Sequence, residues 1–218
     1  MLNAVRAELV KLVTVPSTYL AAGVSVLGTT GIALLNSRVT PDAGFTAVPF
    51  GAIGVIVLGV LIATGDTPIS VLCVPRRGVL LGAKVLVVAV ASAVLAGVTL
   101  VAAVPLAELG WRAVGAVVYW VCSALIAFAV GSLSRSAVVP LVLFIVNSAL
   151  VSVTYLLTKV TPLARYLPDV AGAQMFVRDY RAEDMLSPVA GGVTMVVWTV
   201  VLVVVAGVVF TRRDIGGA

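Results

Sequence analysis

Six stretches of this chain, approximately 17–37, 47–65, 85–105, 114–133, 137–157 and 188–210, contain no Lys, Arg, Asp or Glu. A helix crosses the roughly 30 Å hydrocarbon core of a bilayer with about 20 apolar residues rising 1.5 Å each, and every stretch is close to that length. Runs such as Val85-Leu86-Val87-Val88-Ala89-Val90-Ala91 do not alternate apolar with polar residues, as strands of a membrane barrel would. In lipid a helix satisfies its own backbone hydrogen bonds, and this outweighs the weak helix propensity of valine. Composition agrees: the 218 residues are 61% hydrophobic and 11% charged, against about 25% charged in a water-soluble domain. Intrinsic disorder needs the opposite balance. The expected fold is all-α, a polytopic membrane protein with six transmembrane helices. They form one domain over 17–210, with an interfacial helix in 1–16 before it and a tail over 211–218 after it.

The same composition removes several kinds of chemistry. The chain has no histidine, so histidine metal sites and most triad hydrolases are excluded. None of the six stretches carries an ionisable acid or base, which argues against proton relays, sodium-coupled carriers, voltage sensors and intramembrane proteases. Gly78-Val79-Leu80-Leu81-Gly82-Ala83-Lys84 is one residue short of a phosphate-cradling loop and has no Ser or Thr after the lysine. No catalytic residue, metal site or bound cofactor is therefore expected on this chain, and it is not expected to hydrolyse ATP alone. Cys73 lies in a loop and Cys122 inside an apolar run, on different levels of the molecule, so no disulfide is expected. The net charge of +5 fits loops facing anionic lipid headgroups rather than nucleic acid.

An even number of spans places both termini on one side. With cytoplasmic termini, 8 Lys and Arg lie inside (Arg6, Lys11, Arg76, Arg77, Lys84, Arg135, Arg212 and Arg213) and 6 outside, the direction of the positive-inside rule. Outside the spans, Leu2, Val5, Leu9, Leu12 and Val13 share one face of a helix at 100° per residue, with Glu8 and Lys11 opposite. Pro16 ends that helix. In the 66–84 loop, Asp66-Thr67-Pro68 forms a helix start and Pro75 its stop. A short helix there is either a docking surface for a soluble partner or a positively charged anchor. The 158–187 segment mixes apolar residues with Pro162, Pro168 and Gly172 and ends in a charged run. Two short re-entrant helices dipping into the outer leaflet fit it.

The fifth stretch is two-faced. Asn147, Ser148, Ser152, Thr154 and Tyr155 fall within an arc of about 160° at 100° per residue, and aliphatic side chains fill the other arc. Such a face is either interhelical glue or the wall of a path for an amphiphile. Tyr119, Trp120 and Trp198 are expected to be core or lipid-facing aromatics. Ala47-xxx-Gly51 and Ala93-xxx-Gly97 permit close helix approach.

Taken in order, these pieces resemble the six-span permease subunit of type-2 ATP-binding-cassette (ABC) transporters. The local matches are Arg6-Ala7-Glu8-Leu9-Val10-Lys11-Leu12 before the first span and Pro75-Arg76-Arg77 with Lys84 before the third. They continue with Leu167-Pro168 and Ala171-Gly172 in the outer loop, then Ser187-Pro188, Gly191-Gly192, Trp198 and Arg212-Arg213-Asp214 around the last span. After the second span the chain is shorter than relatives, and Asp66 stands where they have an acidic start. The resemblance implies a bacterial plasma-membrane exporter for a hydrophobic or amphiphilic compound such as a drug, peptide antibiotic or lipid. It implies two permease chains, and separate ATPase subunits that carry the ATP and magnesium. Glu8, Lys11, Asp66, Pro75, Arg76 and Arg77 would then couple to the ATPase, while Asn147, Ser148, Ser152, Thr154 and Tyr155 would line the substrate path. A membrane anchor or sensor for another protein, and a passive channel, are the rival expectations.

Overall fold

The computed structural model describes residues 2–40, 42–65, 77–105, 109–149, 153–178 and 185–212. The described residues form nine α-helices: α1 (Leu2–Thr14), α2 (Pro16–Asn36), α3 (Ala43–Thr64), α4 (Arg77–Ala103), α5 (Trp111–Ser134), α6 (Val138–Ala149), α7 (Val153–Thr158), α8 (Pro168–Ala173) and α9 (Pro188–Arg212). A 3-10 turn, Pro162–Tyr166, precedes α8. Five of these helices, α2, α3, α4, α5 and α9, are long and apolar enough to cross a membrane. The chain is thus a multi-pass helical membrane protein by length and composition.

Proline marks several of the starts. Pro16, Pro162 and Pro168 each occupy the first turn of their element, where a missing N–H is harmless and the fixed φ is already helical. Val15, in extended conformation, separates α1 from α2 and lets the chain turn from one helix into the other. Inside the bundle, several buried hydroxyls bond back to their own helix. Those of Thr29, Ser92, Thr99 and Thr199 donate to the carbonyls of Ser25, Val88, Leu95 and Met195, each four residues back.

α3 and α5 form the centre. Phe45, Val48, Val55 and Val60 of the first and Tyr119, Trp120 and Phe128 of the second are buried. The α3 backbone comes close to those of α2 and α5 because Cβ atoms are missing at the crossing points. A Cβ on Gly54 would strike Ser25 and the Ala21 carbonyl of α2, and one on Gly59 would strike the Ala124 carbonyl of α5. The small pair at Ala47 and Gly51 packs as expected, whereas Gly97 faces open space. Beside Pro49, which interrupts the hydrogen bonding of α3, the Trp120 indole donates to the Val48 carbonyl at 2.9 Å. The outer helices leave apolar rows uncovered: Leu20, Val24, Leu27, Leu34 and Leu35 on α2, and Val193, Val197, Val201 and Val205 on α9. Such rows are disfavoured in water and neutral in hydrocarbon.

Three sequence expectations change. The third span begins at Arg77 rather than near 85, so Lys84 lies within a helix. The stretch 137–157 is described as two helices, α6 and α7, with 150–152 outside the described residues. Asn147 Oδ1 accepts from the Thr154 backbone N–H at 3.2 Å, yet residues seven apart on one straight helix are about 10 Å apart along its axis. The two helices therefore do not share one straight axis, and neither is among the five helices long and apolar enough to cross a membrane. Finally, Glu8 is 4% exposed, although the helical wheel placed it on the polar outer face.

Candidate functional site

Contacts orient the ends of the bundle. The end of α3, the first turns of α4 and helix α1 meet at one end. The starts of α3, α5 and α9, with residues 171–177, meet at the other.

At the α1 end, Glu8 points inward. One carboxylate oxygen takes Lys11 at 3.0 Å and the other faces Lys84 at 3.6 Å. Lys84, itself 3% exposed, donates to the Ile62 carbonyl at 2.7 Å and lies 3.5 Å from that of Gly65. These are last-turn carbonyls of α3, which an α-helix leaves without internal partners, and a cation there also complements the helix dipole. Leu2, Leu9, Val10 and Val13 of α1 point outward, while Val5 and Leu12 pack on the core. The apolar face of α1 is thus divided between core and surroundings, and its acid is spent on anchoring the helix. Asp66, Pro75 and Arg76, and with them the predicted short helix after the second span, lie outside the described residues. Arg77 opens α4, with only its backbone described.

At the other end, Arg112 in the first turn of α5 forks onto Asp42. Nη1 meets Oδ1 at 2.9 Å and Nη2 meets Oδ2. Its Nε donates to the Phe176 carbonyl at 2.8 Å, and the guanidinium lies 4.0 Å from the centre of the Phe45 ring. One side chain thereby joins the α2–α3 connection, the start of α5 and the segment after α8.

The third arrangement lies between the ends. Asp169, in the first turn of α8, accepts from Tyr119 Oη at 2.7 Å, from Asn147 Nδ2 at 2.9 Å and from Thr154 Oγ1 at 2.9 Å. The donors come from α5, α6 and α7. Tyr119 lies eight residues beyond Trp111, about 12 Å down the α5 axis. On α9, Trp198 is ten residues past Pro188, about 15 Å along, and its indole donates to the Tyr166 carbonyl at 2.9 Å. Residues 166–169 therefore sit well inside the length of the spanning helices. Glycines make room for this segment: a Cβ on Gly172 would meet Met195 and the Tyr119 ring, and one on Gly191 would meet the Ala171 carbonyl.

Of the five residues placed on the polar face of the fifth stretch, Asn147 and Thr154 are brought together, and their common partner is Asp169. Ser152 lies outside the described residues, and for Ser148 and Tyr155 only the backbone is described. Asp169 comes from the 158–187 segment, outside the six charge-free stretches. The sequence reading allowed two short helices there but singled out no side chain, because only the return of the chain sets its depth. The available signal was Leu167-Pro168-Asp169 followed by Ala171-Gly172, a proline start, an acid in the first turn and small residues behind it. Tyr119 is core, as expected, but its hydroxyl has a polar partner. Among the described residues, no three His, Cys, Asp or Glu side chains gather as a metal site. In comparison with known proteins, the sequence matches no family model and no curated protein.

Proposed function

We propose that this chain is the permease subunit of an ABC-type exporter, a bacterial plasma-membrane protein with both termini cytoplasmic. It moves a hydrophobic or amphiphilic compound and is driven by a separate ATPase subunit that binds ATP and magnesium. The observation that carries this reading is the anchoring of α1. Through Glu8 and Lys84 that helix is tied to the last turn of α3 and the second turn of α4, at the end where the 66–76 segment joins those same two helices. A soluble motor pressing on this end acts on two crossings, because the ties are buried and Lys84 is held to α3 by a short bond. The polar group formed by Asn147, Thr154 and Asp169 supports a path for amphiphiles. It offers hydrogen-bonding positions inside a largely apolar bundle. A second permease chain completes the cleft in this reading, with the apolar rows of the outer helices facing it or lipid.

The test is purification of the tagged chain from its native membrane, followed by assay of vanadate-sensitive ATP hydrolysis. Association of a subunit with a phosphate-binding loop, and its loss on reversing Arg76 and Arg77 to glutamate while membrane insertion persists, is the expected result. Unchanged hydrolysis in the reversed variant removes those arginines from coupling. Labelling that places Arg212 on the outer surface overturns the orientation.

A further inference from the structure

We propose that Asp169 is the catch of a latch that holds the re-entrant segment closed against α6 and α7. This rests on the exporter reading only for the step it would gate; the closure itself is a property of this chain alone. The segment has two parts of different character. Residues 170–177 are a root. Val170, Ala171, Gly172, Ala173, Met175, Phe176 and Val177 are all buried, Gly115 and Gly191 let the root lie against α5 and α9, and Arg112 grips the Phe176 carbonyl. Residues 160–169 are an arm. Val160 and Leu163 are 82% and 73% exposed, and the five-residue 3-10 turn lacks the length to be stable alone; Asp169 lies where the arm meets the root, in the first turn of α8.

The arm is held by directional bonds more than by packing. Tyr119, Asn147 and Thr154 all donate to one carboxylate, and Trp198 donates to Tyr166. Asn147 does two jobs. Its amide nitrogen reaches Asp169 and its oxygen accepts the N–H of Thr154, so α6, α7 and the arm share one junction. Hydrogen bonds weaken steeply with small displacements and bad angles. A shift of α6 against α7 therefore loosens both Asn147 bonds together and leaves the arm held mainly by Tyr119, Thr154 and Trp198, which favours its lifting while the root stays in place. A load delivered along the fifth crossing would open the outer end of the path in this manner.

The experiment uses the full chain in nanodiscs with Cys73→Ser and Cys122→Ser, and follows N-ethylmaleimide labelling of an Ala164→Cys variant. Ala164 is 2% exposed in the arm, so labelling requires the arm to lift, and its rate follows the open population. Adding Asp169→Asn is expected to raise the rate about ten-fold or more, and Tyr119→Phe, which removes one bond and keeps the ring, about three-fold. Asp169→Glu should fall between parent and Asp169→Asn. Ala127→Cys, at a fully buried α5 position, is the control and should keep its slow rate in every background. Equal labelling of Ala164→Cys with and without Asp169→Asn overturns the latch. So does equal acceleration at Ala127→Cys, which means general loosening. If the parent shows no ATP-driven movement of rhodamine 6G in vesicles with its ATPase, the exporter reading falls, and the labelling rates still decide the latch.

Discussion

Arg112 and Lys84 are both buried cations near opposite ends of α3, and they are held in different ways. Arg112 spreads a planar fork over both oxygens of Asp42, adds the Phe176 carbonyl and rests on the Phe45 ring. A guanidinium has few other geometries that satisfy so many donors at once. Lys84 is a point charge on a flexible stem. Among the described residues it makes a short bond to Ile62 and looser approaches to Gly65 and Glu8. One end of the bundle is therefore locked in register. At the other end, where α1 meets α3 and α4, the tie tolerates small movement. If the exporter proposal holds, this asymmetry places a compliant joint where force would enter and a fixed clamp at the base of the 160–177 segment.

The contrast can be broken experimentally. The largest effect is expected for Arg112→Met, which strands Asp42 in a mostly buried setting and should remove about 3–5 kcal/mol of stability, measured as a drop in thermal midpoint in detergent. Combining it with Asp42→Asn should recover much of the loss. Arg112→Lys keeps the charge and loses the fork, for a loss of about 1–3 kcal/mol. An unchanged midpoint would show that the fork geometry contributes nothing. Lys84→Met should remove about 1–3 kcal/mol, and its effect should be local: amide exchange in α1 accelerates while α5 stays protected. Uniform acceleration would make the two ends alike and remove the idea of a compliant joint. The smallest effect is expected for Glu8→Gln, about 1 kcal/mol, because solvent screens the Lys11 pair and Lys84 keeps its short Ile62 bond when its looser partner at 3.6 Å loses its charge. Faster tryptic cleavage after Lys11 with little change in midpoint would sharpen the picture of α1 as a separately tethered element.

The crossings were legible from the sequence where one helix does the whole work. The charge-free stretches at 47–65 and 114–133 contain most of α3 and α5, because hydrocarbon thickness fixes the length and lipid forbids unpaired backbone. The stretch 137–157 passed the same test and is described as two helices that do not share one straight axis. Its hydropathy is blind to Asn147 replacing a backbone partner for Thr154. The Glu8 expectation failed for a related reason. A helical wheel knows which residues share a face but not which face meets protein, and at α1 an inward carboxylate is worth having because Lys84 arrives opposite it.

What the sequence determined by itself is the material of the fold: apolar rods of bilayer length, their proline starts, and small residues where backbones cross. These depend on neighbours a few positions away and on the thickness of the solvent slab, both visible in one dimension. What the tertiary structure decided is where charge ends up. Arg112 finds Asp42 70 positions away, and Asp169 finds Tyr119 50 positions away. Depth in the bundle belongs to a residue only after the chain has folded back on itself, because an ionic or hydrogen-bonded group becomes tolerable inside hydrocarbon only when its distant partners have arrived.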